Sequence, residues 1–332
     1  PALDHRHVSD SWESTMPVAC ENDDMGSDFT RRKALRLGAA TASVGAVGSV
    51  AGCSYIPFLG GGGKTLAYNN ALFAPGDVSG TEDGYVFTYS DYKGLRNNED
   101  NLENGTASYQ EDTESFPFRQ MGVDFDSTDA NLAILAVGGH TTGSFKKSDV
   151  GSSLESNGFS EDGSYSGYTL YTGEERTVGV KDGAAVYATA RDAEGYDRQS
   201  AIETIVDTKA GDGTRYAEND DDYSTLDDHV YDDAVIALGG TGGLIAFFAG
   251  DFENVAGWAI SGRISGGGTQ YIKSAHVFES ESDVNVDEVE QWAQDSSLFT
   301  DATDLSASQD GRVVTVEADG LTFGGTGADQ GQ

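Results

Sequence analysis

The residues of this chain whose types and spacing could do chemistry are few, and the sharpest of them lie near its beginning. Cys53 ends the run Val50-Ala51-Gly52-Cys53, in which the residues before the cysteine are small or apolar. Its thiol is a nucleophile that can be modified at sulfur. Two adjacent basic residues, Arg31 and Arg32, stand ahead of the weakly apolar stretch that leads to it. The only other cysteine is Cys20, so nothing after Cys53 can form a disulfide within the chain and stability there must come from packing.

The remaining candidates are weaker. Asn104-Gly105-Thr106 is a glycosylation sequon with Asn104 as acceptor. Asp124, Asp126 and Asp129, and separately Asp220-Asp221-Asp222, could gather a hard cation through oxygen ligands. Neither group has the sixth-position glycine and closing glutamate of a calcium loop, and a solvated acidic surface is the simpler account. Three histidines follow Cys53, namely His140, His229 and His276, and no two share the i, i+4 spacing of a metal-binding pair. His140, between Gly139 and Thr141, reads as a turn residue rather than a base. No G-x-S-x-G nucleophile elbow occurs. Gly60 to Thr65 reads GGGGKT, but the first glycine of a phosphate loop would fall on Phe58, which argues against nucleotide binding. Tyr165, Tyr168 and Tyr171 could line a cleft, although packing within a strand explains them more simply. No catalytic residue and no cofactor is assigned.

Thr30-Arg31-Arg32-Lys33-Ala34-Leu35-Arg36 resembles the twin-arginine export motif, with Ala34 where phenylalanine is usual and Arg36 where lysine is usual. Val50-Ala51-Gly52-Cys53 resembles a lipobox. The resemblance implies that residues 25–52 are a twin-arginine lipoprotein signal peptide read by that export machinery, and that Cys53 carries the lipid. Leu37 to Gly52 is shorter, and more diluted by Gly, Ser and Thr, than the roughly 20 apolar residues a spanning helix needs. One acyl chain binds a membrane only marginally, so firm anchoring implies two. Residues 53–64 then form the lipidated cysteine and a Gly-rich flexible tether. Starting at Met25 gives MGSDFTRRKALRLG, a short basic lead suited to a signal peptide. Residues 1–24 are therefore expected to be spurious upstream sequence.

Charge decides the class of partner. The 332 residues hold 20 basic and 56 acidic side chains, a formal net charge of -36. Residues 1–52 contain 5 and 7 of these, so the rest keeps 15 against 49. Repulsion on that scale is screened at molar salt, where the Debye length is about 3 Å, and the composition resembles that of proteins from extreme halophiles. An acidic disordered tail is excluded by 37% apolar and 10% aromatic content, enough to build a core. Nucleic acid is excluded as a partner because no basic stripe exists to neutralise phosphates.

The elements that must carry these residues follow from pattern. Tyr85 to Tyr89 is a strand by aromatic and β-branched content, and 97–114 is an acidic, exposed loop. Leu132 to Val137 is a buried strand ending at Gly138-Gly139. Ser148 to Asn157 is a helix with Ser148 as candidate N-cap and Val150 and Leu154 on one face. Tyr168 to Tyr171, Thr177 to Val180 and Ala184 to Ala188 are strands, the last two joined through Lys181-Asp182-Gly183. A helix over 198–209 buries Ala201, Ile202, Ile205 and Val206. Between 232 and 252, two apolar segments flank a Gly-rich turn at 239–243. Tyr271 to Phe278 is a strand, Val286 to Gln294 a helix, and Leu305 to Ser308 with Val313 to Val316 a hairpin.

Phe145 before Ser148-Asp149-Val150, and Phe278 before Ser282-Asp283-Val284, suggest that the scheme runs twice. The expected fold is α+β: two related halves, 65–230 and 231–324, each an antiparallel-rich sheet with helices packed on one face, followed by a flexible tail at 325–332. Gly143 to Phe145 with the following helix, Tyr165 to Tyr171 and Val178 to Ala188 are similar to exported lipoproteins of halophilic archaea, a resemblance that implies no particular activity. The expected role is that of a protein moored by its lipid to the extracytoplasmic face of the cell membrane, with a noncatalytic binding or assembly function toward a surface partner. The alternative is a solute-binding receptor or exported hydrolase whose site is built from dispersed carboxylates and aromatics.

Overall fold

The computed structural model describes residues 68–320, apart from 103–105, 107–108, 111–112, 114–116, 251, 266 and 301. The export motif, Cys53, the Gly-rich segment, Asn104 and the C-terminal tail lie outside the described residues.

The first part of the fold contains β1 (Val86–Ser90), α1 (Tyr92–Asn97), α2 (Phe118–Met121), β2 (Thr128–Ile134), β3 (Gly138–Gly143) and α3 (Lys147–Ser156). There follow β4 (Ser160–Tyr165), β5 (Tyr168–Thr172), β6 (Arg176–Lys181), β7 (Ala184–Thr189), α4 (Arg198–Ala210), α5 (Tyr216–Asn219) and α6 (Asp221–Asp227). The last part contains β8 (Ile236–Thr241), α7 (Ala246–Ala249), β9 (Val255–Ile264), β10 (Gln270–Phe278), α8 (Val286–Asp295), β11 (Thr303–Asp310) and β12 (Val313–Asp319).

All twelve strands join one antiparallel sheet in the order β11-β12-β10-β9-β8-β1-β2-β3-β7-β6-β5-β4. The mixed α+β class expected from the sequence holds. Two separate sheets do not, because β1 pairs with β8 across the expected boundary, with Thr88 opposite Leu238. Period-two alternation then gives each strand two apolar faces. Phe87, Leu132, Val186, Ala237 and Ala275 face one side, where Ala201, Ile202 and Ile205 of α4 and Tyr223 and Leu226 of α6 cover them. On the other side, Val178, Val180 and Ala185 meet Val150 and Leu154 of α3, and Trp258, Ile260 and Val316 meet Val289 and Ala293 of α8. Helices therefore pack on both faces, not one. A sheet this wide with apolar residues on alternate sides must be covered twice.

The helices end and begin for local reasons. Asp197 accepts the Ser200 amide at 2.8 Å to start α4, and Gly211, at φ +88°, supplies the left-handed residue that stops it. The start of α3 differs from expectation. Its N-cap is Lys146, without a side-chain cap bond, and the Ser148 hydroxyl instead reaches the Asp149 carboxylate at 3.0 Å.

Other departures share one cause, that local apolar content does not fix register. The run Leu132 to Val137 is not one strand: β2 stops at Ile134, Leu135 is 50% exposed, and Ala136 takes φ +59° to turn the chain. Gly138 and Gly139 open β3 instead of closing β2, and His140 is a buried strand residue, not a turn. Gly239 and Gly240 lie within β8, and the apolar stretch after them forms helical turns. The 97–114 segment is anchored, since Thr106, Tyr109 and Thr113 are buried. The polar β4 had no apolar signal; its burial pattern is exposed throughout except at Tyr165, as suits an edge strand.

Candidate functional site

Strand alternation places His140 and Thr142 of β3 on the α4 side of the sheet, opposite Leu132 and Ala130 of β2. Tyr89 of β1 stands opposite Leu132 in the next pair. Over this patch lie Tyr68 and Ala71, at the 3-10 turn Asn69–Ala71, and Lys209 from the last turn of α4. These eight side chains enclose a cavity of about 130 Å³. Tyr68 and Tyr89 close one wall with ring centroids 4.8 Å apart. Lys209 stands at the mouth, exposed on its solvent side.

The electrostatics of this cavity differ from those of the chain as a whole. His140 is 4% exposed, and its Nε2 lies 3.5 Å from the Tyr168 hydroxyl. Burial first, then the Lys209 and Lys181 ammonium groups, hold its pKa well below the ordinary histidine value, so the ring is neutral. Desolvation against the cavity wall and repulsion from Lys181 lower Lys209 in turn. The Lys181 ammonium sits 4.3 Å above the Tyr168 ring. Burial pushes the Tyr168 phenol up to about 12, and Tyr68 and Tyr89 are raised as well, so all three keep their protons as donors. Among the described residues, neither Lys181 nor Lys209 has a carboxylate within ion-pair distance. Four cations elsewhere are paired: Arg96 with Asp129 at 3.7 Å, Arg263 with Asp233 at 3.7 Å, Lys273 with Glu317 at 2.5 Å and Arg312 with Asp222 at 2.5 Å.

Behind Tyr68 runs a buried polar chain. The Tyr223 hydroxyl donates to Asn69 Oδ1 at 2.7 Å, and Asn69 Nδ2 donates to Asp227. Burial raises Asp227 to about 6 despite the bond from Asn69. Tyr216 stacks on Tyr223 at 4.2 Å and 9°.

Asp124 accepts from the Ser127 amide at 2.9 Å and hydroxyl at 2.6 Å, bonds that hold its carboxyl below the usual range. Asp129 faces Arg96, and Asp126 is exposed. Asp220 caps α6 through the Asp222 and Tyr223 amides, while Asp222 pairs with Arg312. Among the described residues, no three His, Cys, Asp or Glu side chains are grouped to hold a metal ion. A second hollow of about 530 Å³ lies between Phe252 to Asn254 and the start of α8, and its ionisable lining is Glu253, Asp283 and Glu288.

The other two histidines serve the fold. His229 Nδ1 bonds the Thr225 carbonyl at 2.8 Å, and its Nε2 lies 3.8 Å from Asp310. His276 is enclosed by Trp258, Trp292 and Phe252, and donates from Nε2 to the Ala249 carbonyl at 2.9 Å. Sequence reasoning missed the roles of Tyr68, Tyr89, His140 and Lys209. One signal was available: in GGHTTG, His140 is the only bulky side chain, which is what a strand lining a small cavity needs.

No protein-family model matches the chain, and no curated relative matches it. Three solved structures of TP0453 are similar in part. Crystal form III aligns with a TM-score of 0.46 at 10% identity, covering 78% of this chain and 95% of that one. Crystal form I gives 0.46 at 11%, covering 77% and 92%, and crystal form IV gives 0.44 at 10%, covering 78% and 94%. No described helix is long and apolar enough to cross a membrane.

Proposed function

We propose that this chain is a lipoprotein exported by the twin-arginine route and held by Cys53 at the extracytoplasmic face of a halophile's cell membrane, where it has a noncatalytic binding or assembly role. The observation that carries this reading is the spacing of Arg31 and Arg32, a weakly apolar run, and Val50-Ala51-Gly52-Cys53. Residues 54–67 separate the proposed lipid site from Tyr68, the first described residue, in sequence. A net charge of -36 supports operation at high salt, where it is screened.

The two related halves belong to the same proposal. A three-strand meander, a helix and a hairpin recur as β1-β2-β3-α3-β6-β7 and β8-β9-β10-α8-β11-β12, with β4 and β5 as an insertion. In each, the last strand pairs with the third: β7 with β3, and β12 with β10. Helices α3 and α8 lie on the same face, because Ile236 and Leu238, alternate residues of β8, join their respective clusters. An antiparallel β1–β8 contact between equivalent first strands is what a two-fold arrangement requires.

The experiment is fractionation of cells making the full chain, its Cys53→Ser variant and its Arg31→Lys/Arg32→Lys variant. The parent is expected in the membrane with two acyl chains on Cys53 by mass spectrometry, the serine variant in the soluble exported fraction, and the double-lysine variant inside the cell. A serine variant that stays on the membrane like the parent overturns the reading.

A further inference from the structure

We propose that the cavity between His140 and Lys209 is a binding site for a short-chain monocarboxylate, its carboxylate held at Lys209 and its carbon chain against the wall formed by the Tyr68 and Tyr89 rings. This goes beyond the lipid-anchored role and does not depend on it.

Three observations carry the assignment. The first is charge. In a chain with 56 acids and 20 bases, the ionised side chain that lines this hollow is Lys209, with a neutral His140 beside it, and among the described residues no carboxylate is paired to that lysine. An anion at the cavity mouth would be drawn to the Lys209 ammonium, whose charge no protein carboxylate offsets among the described residues. No carboxylate lines the cavity; Asp227 and Asp91, which act on Tyr68 and Tyr89, are not among the lining residues.

The second is the donor set. Lys209, the phenols of Tyr68 and Tyr89 and the Thr142 hydroxyl can all give protons to an oxygen anion, and charge-assisted bonds of this kind are the strong ones. The third is size and polarity. A cavity of roughly 150 Å³ holds benzene, so about 130 Å³ suits a molecule of up to about six heavy atoms. Ala71, Ala130, Leu132 and the two aromatic faces offer no partner to a fully hydrated inorganic ion, whereas they match a few methylenes. The site is too small for a drug-sized or nucleotide ligand, which needs at least about 300 Å³.

The test uses the full-length protein and isothermal titration at constant ionic strength, with sodium butyrate as probe and 1-butanol and inorganic phosphate as comparisons. Lys209→Gln alters a residue at the cavity mouth, and Lys93→Gln, also exposed, is the control for lost charge elsewhere. Saturable butyrate binding is expected in the parent and in Lys93→Gln, weaker by about tenfold in Lys209→Gln, with no saturation by 1-butanol and weaker binding of phosphate. An unchanged melting temperature of Lys209→Gln without ligand shows that its loss is not unfolding. The proposal is overturned if butyrate gives no saturable heat, if Lys209→Gln binds it as the parent does, or if phosphate binds as tightly. Because the readout is ligand heat and not location, a failure here leaves the membrane reading standing, and failure of Cys53→Ser to detach leaves this one.

Discussion

His276 and Trp292 meet edge to face, their ring centroids 4.8 Å apart at 83°, one from β10 and the other from α8. The contact ties a strand of the sheet to the helix that covers it. Phe252 completes the enclosure of the imidazole at 5.3 Å, and Trp258, its cross-strand neighbour, lies at 6.4 Å. The ring is fully buried, and its Nδ1 has no partner among the described residues. A proton added there would be a buried charge with no counter-ion, which is why burial lowers the pKa to about 4.

That depression makes acid destabilising. Between about pH 6.5 and 4 the unfolded chain binds a proton at this position that the folded chain refuses. Stability is therefore lost as pH falls through this window, by at most roughly 3 kcal/mol. His276→Phe removes the titrating group and keeps an aromatic ring, at the cost of the bond to the Ala249 carbonyl. Melting curves from pH 4 to 8 should show a shallower acid decline in the variant; parallel curves would contradict the assignment.

Asp227 works in the opposite direction. Its folded pKa of about 6 exceeds the ordinary 3.8, so the folded state holds a proton that the unfolded chain has released, and stability falls as pH rises through that window. Asp227→Asn keeps an acceptor for Asn69 without the buried charge. It should be more stable than the parent at pH 8, by up to roughly 3 kcal/mol, with the difference shrinking toward pH 4. Urea unfolding at the two pH values measures this, and an equal difference at both would contradict it.

What the sequence made legible was set by how local each signal is. The stripe Ala201, Ile202, Ile205 and Val206 is read within one helix, and α4 runs over 198–210 as expected. The hairpin at Lys181-Asp182-Gly183 needs only a turn, and Gly183 adopts φ +72°. The Leu132 to Val137 run failed because its register is fixed by pairing with β1 and β3, which no window of residues contains. The cavity was illegible for the same reason at longer range. Tyr68, Tyr89, His140 and Lys209 come from four elements, and only the completed sheet brings them together.

Divalent cations should leave this fold unmoved. Asp124 already accepts two bonds from Ser127, and Asp129 already faces Arg96, so calcium would have to break these contacts to bind. Melting temperatures in calcium, in magnesium and in a chelator, at one ionic strength, should agree. A rise of several degrees with calcium, lost in Asp124→Ala, would restore the acidic cluster as a metal site.

Gly240 tests whether the sheet is one cooperative structure. It lies in β8 opposite Val86 of β1, where the two parts of the chain meet, and a Cβ built on it would stand 1.9 Å from the Tyr85 carbonyl oxygen. No rotamer relieves that clash, because the obstructing atom is backbone, and the glycine's φ of +153° is itself unfavourable for an L side chain. The same crowding occurs at Gly138, where the Tyr187 carbonyl oxygen would also be 1.9 Å away, so close backbone approach recurs in this sheet. Gly240→Ala must push β8 from β1 and disturb the Tyr216 hydroxyl, which accepts from the Thr241 amide at 3.2 Å. A loss of at least about 2 kcal/mol is expected. Because β1–β8 is the only pairing between the two sets of strands in the sheet order, denaturant unfolding of this variant should also lose its single transition, residues 236–319 melting ahead of the rest. A variant that unfolds in one step at the parental midpoint would contradict this role for the close approach of Gly240 to the Tyr85 carbonyl.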